Sequence, residues 1–266
     1  MRRRLDVELV RRGLAPSRTR AVDDIVAGRV CVSGALATTA ARQVDAAEAI
    51  VVTEEADGPA FVSRGGIKLS GALDAFGVDV SGRRAVDVGS STGGFTDCML
   101  RRGAVHVVAI DVGRNQLAWT LRNDERVTVM ERTNVRELAA GAIDPPADVC
   151  VADLSFISLR SVAPDLCGLT TASADFVLLV KPQFEAGRAR VGKGGIVRDP
   201  IVHGSVLRDV VSGLDASGLG VRALAVSPLR GADGNIEFFA HARRDRAAVD
   251  DADIDRVVEA AHGVDA

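Results

Sequence analysis

Apolar residues along the chain follow two spacings in turn, and each spacing predicts one kind of element. Short apolar runs, typical of buried strands, cover residues 85–88, 105–110, 127–131, 149–152, 176–180, 221–227 and 235–240. Segments with helical spacing lie at residues 63–76, 95–102, 114–121, 158–168 and 201–217. Strands that alternate with helices predict an α/β fold with a mostly parallel sheet covered on both faces. The last two strands have no helix between them, so we expect an antiparallel pair at one edge.

The first 52 residues show a smaller pattern. A first helix is predicted to end at Gly13, and Ser17 is predicted as the N-cap of a second helix that continues through Ala27. Short runs rich in valine and isoleucine at residues 30–32 and 50–52 predict strands. A small α+β domain therefore precedes the larger α/β domain.

A polar segment separates these two patterns. Residues 54–60 contain Gly58-Pro59 and are predicted as a linker, which divides the chain into domains 1–60 and 61–266. The acidic tail, residues 250–265, is predicted as a final helix without identifiable chemistry.

Basic residues outnumber acidic residues in the first segment of the chain but not over its whole length. The net charge is −3 over 266 residues, so nothing indicates a general attraction to nucleic acid. The first 30 residues nevertheless carry eight arginines against four carboxylates. A small domain with one basic face is typical of RNA binding, and the alternative is an ordinary solvated helical face.

The cysteines and the N-terminal residues indicate the cellular compartment in which the protein is expected. Four scattered cysteines include no CxxC pair, which argues against a zinc site and for a reducing environment. The basic N-terminus lacks the apolar segment of a secretory signal, and no apolar run approaches the ~20 residues needed to cross a membrane. We therefore expect a cytoplasmic protein without membrane contact and without a metal site.

Lysine is rare in this chain. Only Lys68, Lys181 and Lys193 are lysines among 33 basic residues, and the other 30 are arginines. A lysine kept in such a background is a candidate for chemistry that arginine cannot perform, because only lysine gives up a proton readily.

The stretch 85–100, AVDVGSSTGGFTDCML, has the order strand, glycine turn, helix. Its spacing, Asp87-x-Gly89-x-x-x-Gly93-Gly94, departs from the G-x-G-x-x-G of dinucleotide sites, which disfavours an NAD oxidoreductase. Asp87 suits an amino-bearing ligand, and Asp111 after the next strand can accept from ribose hydroxyls. Together these features predict a site for S-adenosylmethionine (SAM), with an ordinary βαβ turn as the alternative. The candidate cofactor-binding residues are Asp87, Gly89, Ser91, Thr92, Gly93, Gly94, Phe95, Asp111, Asn134 and Asp153.

Polar residues also stand at the ends of other predicted strands. Asp153 and Lys181 each follow a strand, Asn134 lies just beyond another, and Glu237 lies in the stretch that begins the last one. Such residues meet at one edge of a parallel sheet, where ligand sites are built.

The N-terminal pattern resembles the S4 RNA-binding domain over residues 3–52. The matching residues are Leu5-Asp6, Leu9, Gly13, Ser17-Arg18, Ala21, Ile25, Gly28, Val30, Val32 and Gly34. The resemblance implies RNA as partner, with Arg4, Arg18 and Arg20 as candidate contacts.

The second domain resembles the FtsJ-type ribose methyltransferases through its glycine turn and through Ser63-Arg64 followed by Lys68-Leu69. With the S4-like domain and the segments DLSFIS (153–158) and KPQFE (181–185), the whole chain is similar to the TlyA family. That family comprises ribosomal RNA 2′-O-methyltransferases, some of which were called hemolysins. The resemblance implies a catalytic tetrad of Lys68, Asp153, Lys181 and Glu237. One departure is Thr92, where many FtsJ-type turns carry proline.

The resemblance thus implies a monomeric enzyme that transfers a methyl group from SAM to a cytidine 2′-OH. Its partner would be the RNA of the small ribosomal subunit, and the RNA of the large subunit is a further candidate. The enzyme would act on this RNA either free or within the ribosomal subunit. Two rivals remain: a membrane-active hemolysin, for which no membrane segment is found, and an RNA-binding protein without catalysis.

Overall fold

In the computed structural model the chain forms two compact units, residues 1–60 and 61–266. The structure describes residues 2–26, 28–45, 47–52, 61–231, 234–245 and 249–263. The predicted linker, residues 54–60, and Ala27, the predicted last residue of the second helix, lie outside the described residues.

The first unit consists of two helices and short antiparallel strands. Its elements are β1 (Arg3–Arg4), α1 (Leu5–Arg11), α2 (Arg18–Val26), β2 (Val30–Val32), β3 (Ala35–Leu36), β4 (Gln43–Val44) and β5 (Ile50–Val52). Strand β2 pairs with both β3 and β5, while β1 pairs with β4. The predicted helices and both predicted strands are confirmed, whereas the two-residue strands β1, β3 and β4 were not predicted because runs so short carry no periodicity.

Local contacts explain why this unit folds as it does. The Ser17 hydroxyl accepts from the backbone N–H of Arg20 at 3.2 Å, which caps α2. Ser33 and Gly34 both have positive φ, 52° and 82°, as a tight two-residue hairpin between β2 and β3 requires. Leu5, Leu9 and other apolar side chains of both helices pack on the strands to form one core.

The second unit contains a seven-stranded sheet. Its elements are α3 (Arg64–Phe76), β6 (Arg84–Val88), α4 (Gly94–Arg101), β7 (His106–Asp111), α5 (Trp119–Arg122), β8 (Val127–Glu131), β9 (Ala147–Ala152), α6 (Leu159–Gly168), β10 (Thr170–Val180), α7 (Pro182–Glu185), α8 (Pro200–Ala216), β11 (Gly220–Val226), β12 (Phe238–Arg243) and α9 (Asp251–Gly263). The strand order is β11-β12-β10-β9-β6-β7-β8. Strand β12 runs antiparallel to both of its neighbours, β10 and β11, and the other neighbouring strands of this sheet pair in parallel.

Alternating side chains of the sheet divide the core into two layers. Val86 and Val88 of β6 face the layer covered by α6, α8 and α9, while Ala85 faces the layer covered by α3 and α4. The acidic tail forms α9 as predicted, and its apolar residues, including Ile254 and Val258, pack into the first layer. In the part of the chain that the structure describes, every helix is too short or too polar to cross a membrane.

Three predicted elements differ from the structure. The strand predicted over 176–180 already begins at Thr170. The helix predicted over 114–121 is reduced to α5, because the preceding loop folds around Asp111, whose carboxylate accepts from the backbone of Gly113. The last strand begins at Phe238 rather than at residue 235, so Glu237 precedes it. The predicted antiparallel pair at one edge is confirmed: β11 is the edge strand, and β12 pairs with it antiparallel and lies between it and β10.

Candidate active site

The glycine turn after β6 brings three strand ends together. The N–H of Gly89 donates to the Ile110 carbonyl at 2.8 Å, and the N–H of Asp153 donates to the Val88 carbonyl at 3.0 Å. Gly89 has a φ of +84°, and a Cβ at this position would overlap the backbone carbonyl of Asp153. Only glycine therefore allows the turn to approach the end of β9 so closely.

The two glycines at the start of α4 serve packing between elements. A Cβ on Gly93, whose φ is +96°, would overlap the side chains of Leu117 and Leu121. A Cβ on Gly94 would overlap the hydroxyl of Ser63 at the start of α3. Gly93 was predicted among the cofactor-binding residues, and the space on the Cβ side of its backbone is filled by these two leucines.

Asp111 is held by backbone donors at the end of β7. The N–H of Ser91 donates to Oδ2 at 2.8 Å, and the N–H of Gly113 donates to Oδ1 at 2.6 Å. These bonds link the glycine turn to the loop after β7 and fix the carboxylate, which retains lone pairs for a further donor.

Two adjoining cavities lie at this edge of the sheet, with volumes of about 500 Å³ and about 250 Å³. The larger is lined by Asp111 and Asn134 among the predicted residues, and the smaller by Lys68, Thr92, Gly94 and Phe95. Gly89, Ser91 and Asp153 line both cavities. Most of the predicted cofactor-binding residues therefore surround one continuous cleft.

Asp87 and Gly93 line neither of these two cavities. Asp87 has no exposed surface, and its Oδ2 accepts from the hydroxyl of Thr96 at 2.6 Å. Burial raises the pKa of Asp87 to about 7, and the charges of Asp153 and Asp111 act in the same direction. Asp87 is therefore enclosed by the protein and hydrogen-bonded to α4, whereas the sequence suggested that it would meet an amino-bearing ligand.

The predicted tetrad forms two lysine–carboxylate pairs. Lys68 of α3, which is 9% exposed, donates to Oε2 of Glu237 at 2.5 Å. Lys181, at the end of β10, forms an ion pair with Asp153 and also donates to the hydroxyl of Ser155 at 3.2 Å. One member of each pair, Lys68 or Asp153, lines the cleft, and it is bonded to the other member of its pair.

An exposed aromatic side chain at the larger cavity was not identified from the sequence. Phe156 is 90% exposed, has a φ of +64°, and its ring lies 5.0 Å from that of Phe184. An exposed ring beside a polar cleft can stack on a nucleobase. Its position between Leu154 and Ile157 gave no signal that separated it from a core residue.

The three arginines predicted to bind RNA lie on the first unit, but each is ion-paired. Arg4 and Arg18 both bond to Asp6, at 3.0 Å and 2.9 Å, and Arg20 lies 3.1 Å from Asp24. The pKa of the Asp6 carboxyl is lowered mainly by its bonds from Arg4. The side chains of all three arginines remain partly exposed despite these ion pairs.

Comparison with known proteins identifies the family. Residues 61–244 match the FtsJ-like methyltransferase family, and residues 3–50 match the S4 domain. The chain is 50% identical over 238 residues to the 16S/23S rRNA (cytidine-2′-O)-methyltransferase TlyA of Mycobacterium tuberculosis, which covers 90% of this chain and 88% of that protein. The chain belongs to the TlyA family.

Other TlyA-family relatives carry a different name. Hemolysin A of Brachyspira hyodysenteriae is 41% identical over 239 residues, covering 90% of this chain and 98% of that protein. The solved structure of a candidate hemolysin from Streptococcus thermophilus has a TM-score of 0.78 at 38% identity and covers 98% of this chain and 96% of that one. Proteins named as methyltransferases and as hemolysins thus share this sequence family.

Proposed function

We propose that this protein is a SAM-dependent ribosomal RNA methyltransferase that modifies a cytidine 2′-OH in the small ribosomal subunit and also in the large one. The two lysine–carboxylate pairs beside the cleft carry the proposal. The name of the Mycobacterium tuberculosis relative, which acts on both 16S and 23S rRNA, supports the choice of substrates. Such a protein would work in the cytoplasm, where ribosomes are made.

The cleft fits SAM. Asp111 would accept from the ribose hydroxyls, Asn134 would lie near the adenine, and the close turn at Gly89–Gly94 would hold the amino-acid end near Lys68. When bound, SAM would supply an electrophilic methyl group for transfer.

The four tetrad residues would then prepare the ribose hydroxyl. Alignment of the reacting atoms can supply a large part of the lowering of the barrier. Asp153 holds the Nζ of Lys181, and Glu237 holds the Nζ of Lys68, so both amino groups have fixed positions. Lys181, whose ammonium group is ion-paired with Asp153, would first release a proton to solvent and would then accept the 2′-OH proton at Nζ, while Lys68 positions the substrate.

Exchange of Lys181 for arginine separates charge from proton chemistry, because arginine keeps the charge and does not release a proton. We expect Lys181→Arg to fold and bind SAM but to lose methyl transfer by orders of magnitude, and Lys68→Arg to lose less. The assay maps ribose methylation in ribosomal subunits treated with each variant, with calorimetry for SAM.

A near wild-type rate for Lys181→Arg across neutral pH would show that Lys181 acts by positioning alone. Absence of ribose methylation with the wild-type protein on unmodified subunits of both sizes would refute the proposed activity itself.

A further inference from the structure

A loop beside the tetrad carries unexplained positive charge. Residues 187–198, here the basic loop, contain Arg188, Arg190, Lys193 and Arg198 and no carboxylate. The loop follows β10 and α7 and therefore starts six residues beyond Lys181. All four cationic residues are exposed.

The chain itself engages only one of these cations. Arg190 donates to the Ala186 carbonyl at 2.7 Å and to the hydroxyl of Ser205 at 2.8 Å. Arg188, Lys193 and Arg198 have no hydrogen bond or ion pair with any residue that the structure describes. Their charges are therefore available for an external anion.

The tip of the basic loop has a defined shape. The N–H of Gly192 donates to the Ile196 carbonyl, and the N–H of Gly195 donates to the Gly192 carbonyl, both at 3.1 Å. Gly194 and Gly195 have φ values of +79° and +77°, which favour glycine. Lys193, the third lysine of the chain, is thus presented at the tip of a closed turn.

A buried asparagine joins this turn to the tetrad. Asn235 is 1% exposed; its Oδ1 accepts from the N–H of Val197 at 2.9 Å, and its Nδ2 donates to the Gly195 carbonyl at 3.0 Å. Glu237, the partner of Lys68, lies two residues after Asn235 in the chain. The Cα atoms of Asn235 and Glu237 are therefore at most about 7 Å apart. The position of the loop is therefore tied to the Lys68–Glu237 pair.

We propose that the basic loop binds the phosphate backbone of the RNA substrate, and that Asn235 holds it at a fixed distance from the Lys68–Glu237 pair. The proposal rests on the proposed function. A polyanion is favoured as the occupant because the loop combines unpaired cations with no large exposed hydrophobic side chain. Backbone contacts of this kind set the register of a nucleic acid without reading its sequence.

The decisive variant is Lys193→Glu, assayed on ribosomal subunits that lack the modification. We expect the KM for the subunit to rise about tenfold, kcat to change less than about twofold, and the slope of log affinity against log salt to fall by about one. SAM affinity and thermal unfolding should match the wild type. Arg256→Glu on α9 is the control, since it changes the net charge equally outside the loop.

A second variant tests the link. Asn235→Ala leaves the net charge unchanged but removes the hydrogen bonds that hold the basic loop near Glu237. We therefore expect KM to rise and kcat to fall together. Thermal unfolding shows whether this variant folds; if it does not, Lys193→Glu alone decides.

The outcomes separate the two proposals. A wild-type protein that methylates subunits, together with unchanged KM and salt slope for Lys193→Glu, would overturn the basic-loop proposal and leave the proposed function intact. Equal losses for Lys193→Glu and Arg256→Glu would also overturn it, because the effect would then be one of net charge. A wild-type protein without methylation on either subunit would instead refute the proposed function.

Discussion

The buried carboxyl of Asp87 should make the stability of the protein depend on pH. The side chain has no exposed surface and accepts a hydrogen bond from Thr96 at 2.6 Å. Burial raises its pKa from the ordinary value of 3.8 to about 7. Asp87→Asn keeps the shape and can accept the same bond, but it removes the ionisation.

The direction in which the free energy of unfolding changes with pH follows from proton binding to the folded and unfolded states. Between pH 3.8 and about pH 7 the folded state holds Asp87 protonated while the unfolded state ionises it, so the folded state binds more protons. The free energy of unfolding therefore falls as the pH rises through this range and is unaffected by this group above it. Each pKa unit corresponds to about 1.4 kcal/mol, so the loss between pH 5 and pH 8 is about 2–3 kcal/mol.

Urea unfolding of wild type and Asp87→Asn at pH 5, 6, 7 and 8 measures this loss. We expect the variant to gain about 2–3 kcal/mol relative to the wild type as the pH rises from 5 to 8. The control is Asp124→Asn, because the side chain of Arg126 holds the pKa of the Asp124 carboxyl below its usual range and no described histidine bonds to it. Both states ionise that group above pH 5, so its curve should run parallel to the wild type. A parallel curve for Asp87→Asn would refute the reasoning.

Two further predictions concern the glycine turn and the first unit. Gly93→Val would force a branched side chain against Leu117 and Leu121 at a strained φ, so we expect a loss of about 2–4 kcal/mol in thermal unfolding; an unchanged Tm would contradict this packing role. A shortened chain that begins at Phe61 should bind SAM in calorimetry but lose methylation of ribosomal subunits, because the first unit supplies RNA affinity; full activity of that chain would show that the S4 domain is dispensable.

The order of elements and the strand-end residues could be predicted from sequence because both depend on local patterns. The apolar runs located most strands of the sheet, and Asp153 and Lys181 followed two of them as parallel topology requires. The helix expected over 114–121 could not be corrected from sequence, because the competing hydrogen bonds to Asp111 come from the fold.

Tertiary pairing also explains the remaining differences. Asp87 has the spacing of a ligand-binding carboxylate, and only the packing of α4 shows that Thr96 covers it. Arg4 and Arg18 were predicted to contact RNA, and the sequence did not show that the carboxylate of Asp6 accepts hydrogen bonds from both of them. Gly93 looked like a ligand contact, and the leucines that fill the space beside it lie about 25 residues further along the chain.

The insertion of β12 between β10 and β11 has a consequence for the timing of synthesis. Lys68 and its partner Glu237 are 169 residues apart, and Glu237 is positioned by the strand that follows it. At about 5–20 residues per second the ribosome releases the glycine turn and Lys181 seconds before this strand emerges. A nascent or prematurely ended chain can therefore contain the cofactor turn without the carboxylate that binds Lys68, so the enzyme becomes competent only when translation of this unit is nearly complete.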